Sequence, residues 1–153
     1  MTNEELKQYI LSLVPDAVVE EGKQFLSFTV NSEHIHPLSK KLKENPQTTF
    51  DYLFCLTAVD WLTYFTVVYH LTSTTAKHTI VIKAKVADRN NPRIDTVCDL
   101  WSTAEFLERE VYDLFGIRFN NHPDLRRLLL DEDWEGYPLR KDYVDEANIV
   151  ELE

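Results

Sequence analysis

Four charged side chains could form a reactive or a structural centre in this sequence. They are the carboxylate of Glu108 and the guanidinium groups of Arg126, Arg127 and Arg140. A carboxylate beside arginines suits two kinds of chemistry: it can act as a general acid or base, or it can form a hydrogen-bonded ion pair that joins two parts of the chain. The choice between them depends on where each charge lies in the fold.

Helical periodicity places Glu108 on an apolar face. The pattern predicts a helix from about residue 95 to Phe115, ended by Gly116 as a left-handed C-cap. At about 100° per residue, Glu108 falls within an apolar stripe. An unpaired polar group buried there costs about 2–7 kcal/mol, so we expect a buried ion pair between Glu108 and an arginine of residues 126–140. The stripe consists of Val97, Leu100, Trp101, Ala104, Leu107, Val111, Leu114 and Phe115.

The other side of this helix is polar, and we expect it to face solvent. Phe106 is the exception, and we expect either the C-terminal segment or another subunit to cover it. The remaining residues of this side are Asp99, Ser102, Arg109, Glu110 and Asp113.

Patterning along the rest of the chain predicts an α+β fold, with an antiparallel sheet meander packed by helices on one side and a long irregular C-terminal arm. The first meander strand is almost wholly apolar, which predicts that both of its faces are covered. Helices are predicted from Thr2 or Asn3 to Pro15 and at 37–45, a strand at 24–30, and the meander at 50–61, 64–71 and 78–86.

The chain divides at Gly116. Residues 1–117 form the predicted core, and residues 118–153 form the C-terminal arm, with a strand-like start, a short helix at 124–130 and an acidic, extended end. Long irregular segments are usually functional or disordered, and the aromatic residues and cations of this one favour a docking surface over disorder. The expected interface residues are Phe106, Arg118, Trp134, Tyr137, Arg140 and Lys141.

Composition and motifs exclude several functions. The formal net charge of −10 disfavours nucleic acid and anionic lipid as partners. The N-terminus does not resemble a signal peptide, no apolar run is long enough to span a membrane, and the two cysteines are expected to be reduced. Three glycines leave no nucleotide-binding loop, and neither a nucleophile set nor a metal-ligand spacing occurs. We therefore predict no catalytic, cofactor-binding or metal residue in this chain.

The stretch "EREVYDLFGIRFNNHPDLRRLLLDEDWEGYPLRKDY" at 108–143 closely resembles the signature of the C-type, or thirty-kilodalton-type, subunit of respiratory complex I (NADH:quinone oxidoreductase). Weaker similarity extends upstream through "FDYLFCLTAVDW" and "DLWSTAEFLERE". The resemblance implies a non-catalytic structural subunit of the hydrophilic arm, supporting electron transfer from NADH to quinone coupled to proton translocation. FMN and iron–sulfur clusters would then lie in partner subunits, with none in this chain.

The resemblance also implies partners: the large hydrogenase-like D-type subunit, the small cluster-bearing B-type subunit and the quinone that the complex binds. Membrane association would be indirect, on the cytoplasmic side of the cell membrane. One alternative is the equivalent subunit of a membrane-bound hydrogenase or of another donor:quinone dehydrogenase. An alternative of another class is an independent soluble enzyme with Glu108, Asp113 and the arginines as its acid/base site.

Overall fold

The computed structural model describes residues 1–22 and 24–145. Of the predicted acidic, extended end, residues 146–153 lie outside this range. The helices are α1 (Asn3–Leu13), α2 (Ile35–Glu44, after a 3₁₀ turn at Ser32–His34) and α3 (Ala104–Phe115). The strands are β1 (Val18–Glu21), β2 (Leu26–Asn31), β3 (Tyr52–Asp60), β4 (Phe65–Thr72), β5 (Thr79–Val86), β6 (Arg93–Asp95) and β7 (Arg118–Asn120).

Five strands form one sheet in the order β1-β2-β5-β4-β3. The predicted antiparallel meander of β3, β4 and β5 is confirmed. However, β2 pairs with β5 in parallel, from Leu26 opposite Ile80 to Asn31 opposite Lys85, so the whole sheet is mixed. Strand β1, which pairs antiparallel with β2, was not predicted from the sequence.

One face of the sheet carries the core, and the helices cover that face, as predicted. Phe28, Tyr69 and Ile82 are completely buried on it. The expectation that β3 is covered on both faces is wrong: Tyr52 is 47% exposed and Phe54 is 40% exposed. Successive side chains of a strand point to opposite faces, so an apolar strand still presents half of its residues to the uncovered side.

The N-terminal helices start and end with clear local signals. Thr2 caps α1, since its hydroxyl accepts from the Glu5 N–H while the Glu5 carboxylate accepts from the Thr2 N–H at 2.7 Å. This reciprocal capping box satisfies two otherwise unpaired donors. Leu6 and Ile10 of α1 and Leu38 of α2 are buried in the same hydrophobic core cluster as the inner residues of the sheet.

The predicted start of the third helix is wrong. α3 begins at Ala104, and residues 93–103 form β6 and a series of turns. Trp101 Nε1 donates to the Phe50 carbonyl at 3.1 Å, and Thr103 Oγ1 donates to the Leu53 carbonyl at 2.9 Å. These hydrogen bonds connect the turns to β3 and to the residues just before it. Gly116 ends the helix with φ +73°, as predicted.

The C-terminal arm is partly integrated into the folded body. Its first three residues form β7, which pairs in parallel with β6 in a separate two-stranded sheet. Residues 124–130 form turns and bends, so the helix predicted there is absent from the described arm. Further along, the Leu139 N–H donates to the Leu114 carbonyl at 3.0 Å, which holds the arm against the end of α3.

Candidate functional site

Glu108 is completely buried, in agreement with its position in the apolar stripe. Its carboxylate accepts hydrogen bonds from Thr96 Oγ1 at 2.5 Å, from the Val97 N–H at 2.8 Å and from Cys98 Sγ at 3.3 Å. Burial raises the pKa of Glu108, and these hydrogen bonds oppose the rise. Glu108 thus ties the turn before α3 to the helix itself.

The predicted pairing of Glu108 with an arginine is wrong. The basic side chain beside the Glu108 carboxylate is His122, whose Nε2 lies 3.9 Å from Glu108 Oε2. Arg126 instead pairs with Asp124, and Arg127 pairs with Asp113. Residues 96–98 form part of a turn and not of the predicted helix. This turn brings their hydrogen-bond donors next to the Glu108 carboxylate, and they take the place expected for an arginine.

Cys98, Glu108 and His122 lie close enough together to resemble a metal site, but their hydrogen bonds do not suit one. His122 Nδ1 accepts from the Asp124 N–H at 3.0 Å, so its Nε2 carries the proton and donates to the Glu105 carbonyl at 2.9 Å. The Nδ1 lone pair accepts a backbone hydrogen bond and Nε2 carries a hydrogen, so neither ring nitrogen is free to bind a metal. Burial raises the pKa of the Cys98 thiol to about 12, so the thiol keeps its proton and donates a hydrogen bond to Glu108.

The buried ion pair that joins helix to arm is formed by Asp113 and Arg127. Asp113, expected in solvent, is completely buried. Arg127 Nη1 donates to Asp113 Oδ1 at 3.0 Å, and the N–H groups of Leu128, Leu129 and Leu130 donate to Oδ2 at 3.2, 2.7 and 3.0 Å. Burial alone would raise the pKa of Asp113, but these hydrogen bonds outweigh it and the pKa is lowered.

Arg109 supplies a second connection to the C-terminal arm. It too was expected in solvent, and it is only 5% exposed. Its guanidinium donates to the carbonyl groups of Arg126 and Arg127 at 3.2 and 3.0 Å. The helix therefore buries two sides, one on the sheet and one under the arm, and the second side was the one that periodicity assigned to solvent.

Three guanidinium groups and two aromatic rings alternate where the arm meets the sheet, and we call this arrangement the guanidinium stack. The Arg127 and Arg140 carbons Cζ lie 5.1 and 4.9 Å from the centre of the Tyr137 ring. Arg140 and Arg89 lie 5.1 and 4.7 Å from the centre of the Phe65 ring. Cations over aromatic faces are favourable, especially when partly desolvated.

Asp60 fixes one end of the guanidinium stack. Arg89 binds its two oxygens at 2.5 and 2.9 Å, and the N–H groups of Leu62 and Lys141 also donate to it, at 2.7 and 2.9 Å. The hydrogen bond from Arg89 is the main reason that the pKa of Asp60 falls to about 2. The residue therefore joins the turn after β3, the loop after β5 and the arm.

Gly116 allows the guanidinium stack to approach the helix end. A Cβ atom there would lie 2.6 Å from Tyr137 Cε2 and 2.7 Å from Arg140 Nη2. Its positive φ independently favours glycine. Arg140 Nε donates to the Phe115 carbonyl at 2.7 Å, which caps the C-terminal end of α3 with a cation.

The predicted interface residues occupy different surroundings. Phe106 is 57% exposed, so residues 118–145 of the arm do not cover it, and Arg109 lies over its ring at 5.6 Å. Trp134 is 37% exposed. Arg118 is exposed with its guanidinium over Tyr112. Arg118 is connected to the guanidinium stack through Tyr112, whose ring centre lies 6.4 Å from that of Tyr137.

The sequence patterns gave no role to Arg89 and Asp60, and they placed Arg109 and Asp113 on the solvent-facing side of the helix. A usable signal existed for Asp60, because it is a lone acid at the end of an otherwise apolar strand. The residues around Asp113 in the sequence give no sign of its burial, because most of its partners are backbone N–H groups of a distant segment that has no periodic pattern.

An open groove of about 570 Å³ lies above Cys98, beside the buried Glu108. His36 and Asp99 pair across it at 2.8 Å, and Thr96 contributes a side chain already bonded to Glu108. Its remaining lining residues are Asp95, Asn121 and Pro123. Cys98 donates to the Glu108 carboxylate, but burial raises the pKa of its thiol to about 12, so the geometry does not present an activated nucleophile to the groove.

Comparison with known proteins gives a consistent result. The sequence model of the family described as "Respiratory-chain NADH dehydrogenase, 30 Kd subunit" matches residues 28–148. The C-type subunit of NADH-quinone oxidoreductase from Geotalea uraniireducens is 47% identical over 128 residues, which are 82% of this chain and 76% of the relative. The C/D-type subunit of the same enzyme from Phocaeicola vulgatus is 45% identical over 124 residues, 80% of this chain but only 24% of that longer relative.

A solved structure agrees with the sequence relatives. A chain from the membrane-bound sulfane sulfur reductase, an archaeal respiratory membrane complex, superposes with a TM-score of 0.78 and 30% identity. The match covers 94% of this chain and 86% of the other. Across residues 1–22 and 24–145, no helix combines the length and the apolar character needed to cross a bilayer.

Proposed function

Because the chain belongs to the 30 Kd subunit family of respiratory-chain NADH dehydrogenase, we propose that it is a non-catalytic structural subunit of an NADH:quinone oxidoreductase. In that role it supports electron transfer from NADH to quinone, coupled to proton translocation, and has activity only as part of the complex. The family match over residues 28–148, together with the 47% identity to a C-type subunit, carries this proposal.

The buried acids support a structural role for the chain. Glu108 is enclosed by three donors, and Asp113 accepts from one guanidinium and three backbone N–H groups. A general acid or base must reach a proton on its substrate. Neither carboxylate is exposed to one, which argues against the alternative of an independent acid/base enzyme.

We propose that its partners are the D-type and B-type subunits of the same complex. The C/D-type relative supports the first of these, since its name joins the C and D types in one chain. FMN and iron–sulfur clusters would lie in partner subunits, and the attachment to the membrane would be peripheral, on the cytoplasmic side and through the complex.

We further propose that the C-terminal arm, residues 118–153, is the principal docking segment and that Phe106, Arg118, Trp134, Tyr137, Arg140 and Lys141 contribute to the interface. Hydrogen bonds from Arg109 and Arg127 hold the described part of the arm in one shape. A rigid surface loses less conformational freedom on binding, so its contacts yield more net affinity.

A second candidate is the equivalent subunit of a complex with another electron donor. The similarity to a chain of the sulfane sulfur reductase complex favours it, because that chain has the same fold at 30% identity. The two candidates differ in the donor-side subunits of the complex, and they share the D-type and B-type partners.

Affinity purification tests both candidates. The full chain with a tag is expressed in its own organism, and the proteins that co-purify from solubilised membranes are identified by mass spectrometry. We expect D-type and B-type subunits, NADH:quinone oxidoreductase activity in the purified complex and none in the isolated chain. Co-purification with donor subunits that do not use NADH would support the second candidate, and NADH oxidation by the isolated chain would contradict both.

A further inference from the structure

We infer that Arg140, together with the exposed turn Trp61–Leu62, forms the binding point for an acidic side chain of the partner subunit flanked by apolar residues. The inference rests on the proposed function and names the chemistry of one contact in the interface. The turn played no part in the interface expected from sequence.

Arg140 differs from the other two arginines of the guanidinium stack. Arg127 binds Asp113 and also the carbonyl groups of Trp134 and Gly136, and Arg89 binds Asp60 and Asp142. Arg140 uses Nε for the Phe115 carbonyl, and across residues 1–22 and 24–145 its terminal nitrogens pair with no carboxylate.

The position of Arg140 makes a further anion favourable. Its guanidinium lies between Tyr137 and Phe65, and beyond Phe65 is the guanidinium of Arg89. Burial and the charge of Arg89 lower the pKa of Arg140, and the negative charges of Asp142 and Asp60 oppose this only in part. A carboxylate that binds the two terminal nitrogens would compensate both effects, and arginine suits this because its planar fork binds a carboxylate through two parallel hydrogen bonds.

The adjacent turn supplies an apolar contact. Trp61 and Leu62 are 52% and 56% exposed, and Lys141 Nζ lies 5.9 Å from the Trp61 ring centre. Leu62 has φ +70°, a conformation that is costly for residues with a Cβ. Asp60 holds it there through the Leu62 N–H and binds the Lys141 N–H on the arm, so turn and arm form one rigid surface.

Charge complementarity selects the occupant. This surface presents the partly exposed Arg140 and the exposed Lys141 beside exposed apolar side chains, while the neighbouring Asp142 is paired with Arg89, on a chain whose net charge is −10. A protein segment with a carboxylate and an apolar neighbour satisfies both features. An anionic lipid surface would instead be repelled by most of the chain, and we treat it as an outcome of the test.

The test uses the full chain, immobilised through a tag, with a purified subcomplex of the D-type and B-type subunits as the analyte in surface plasmon resonance. We expect Arg140→Gln to weaken binding about 30-fold, the effect of removing one member of a desolvated charge pair. The matched control, Arg126→Gln, removes the same charge from an exposed arginine of the arm that pairs with Asp124, and we expect wild-type affinity.

A second variant keeps the test valid if Arg140→Gln perturbs the fold. Leu62→Gly removes the apolar side chain at a positive φ that glycine prefers, so the turn should persist, as circular dichroism and the melting temperature will show. We expect about 10-fold weaker binding, the effect of losing one buried leucine contact. Increasing salt should weaken wild-type binding more than that of Arg140→Gln.

The outcomes separate this inference from the function on which it rests. If wild type binds and both Arg140→Gln and Leu62→Gly bind equally well, the inference is overturned and the proposed function remains. If wild type does not bind the subcomplex, the proposed function and the inference both fail. If phosphatidylcholine vesicles containing phosphatidylglycerol bind wild type but not Arg140→Gln, and the subcomplex binds both alike, the site is for lipid and the inference is wrong.

Discussion

Replacing Asp113 with alanine should detach the C-terminal arm from α3. The carboxylate accepts four hydrogen bonds, one of them from the Arg127 guanidinium at 3.0 Å and the others from three consecutive N–H groups. Both members of the pair are well shielded, with exposed side-chain fractions of 0% for Asp113 and 12% for Arg127. The substitution therefore leaves a mostly buried guanidinium without its counter-charge.

The expected loss of unfolding free energy for Asp113→Ala is about 3–5 kcal/mol, which is typical when one partner of a buried ion pair is removed. The three freed N–H groups add little, because Leu129 is 64% exposed and water can reach this turn. Asp113→Asn should lose less, about 1.5–3 kcal/mol, since the amide oxygen still accepts from the backbone while the charged hydrogen bond is lost.

Urea unfolding followed by circular dichroism and by tryptophan fluorescence measures these losses, and coincidence of the two transitions tests for two-state behaviour. Glu110→Ala is the matched control, because it removes an acid from a partly exposed position of the same helix and should change stability by less than about 0.5 kcal/mol. If Asp113→Ala is no more destabilising than Glu110→Ala, the ion pair does not hold the arm and the reasoning is refuted.

Two further predictions concern the helix and its end. Glu108→Gln should change the pH dependence of unfolding: the folded-state pKa of Glu108 is raised from its ordinary 4.5, so wild type should gain stability relative to the variant as pH falls from neutral towards 4.5. A constant or opposite difference in urea unfolding would contradict this. Gly116→Ala should lower the unfolding free energy by at least about 1–2 kcal/mol, the cost of left-handed backbone for a residue with a Cβ, plus displacement of Tyr137. Thermal unfolding measures it, and equal melting temperatures for Gly116→Ala and wild type would contradict it.

Local patterns predicted the parts of the fold that neighbouring residues determine. The meander is recognisable because short polar links separate strongly apolar strands, and Gly116 marks the helix end because a left-handed residue is needed there. The parallel pairing of β2 with β5 joins distant segments, and nothing in either strand specifies its direction. Strand β1 was not predicted because it is short and mostly exposed, so its sequence shows no alternation of apolar and polar residues.

Helical periodicity correctly predicted that Glu108 is buried, but part of the apolar stripe behind that prediction is not helical. Val97 and Trp101 lie in turns rather than in the helix, and the helical spacing that included them is a coincidence of sequence. The burial of Glu108 follows instead from the turn folding back over α3. A helical wheel identifies the apolar face of a helix, so it assigned the polar Asp113 and Arg109 to solvent. In the structure the irregular C-terminal arm also packs on α3, on the polar side, and the sequence pattern of the helix does not indicate this second contact.

The parallel contact between β2 and β5 also has a kinetic consequence. β3, β4 and β5 can assemble in succession because each pairs with its neighbour in the chain. The hairpin of β1 and β2 is made earlier by the ribosome but can join the sheet only after β5 has emerged. Such non-local pairing slows folding. The amino-terminal hairpin is therefore the part of the sheet that stays unpaired for longest in a nascent chain, and the part that is accessible to chaperones for the longest time.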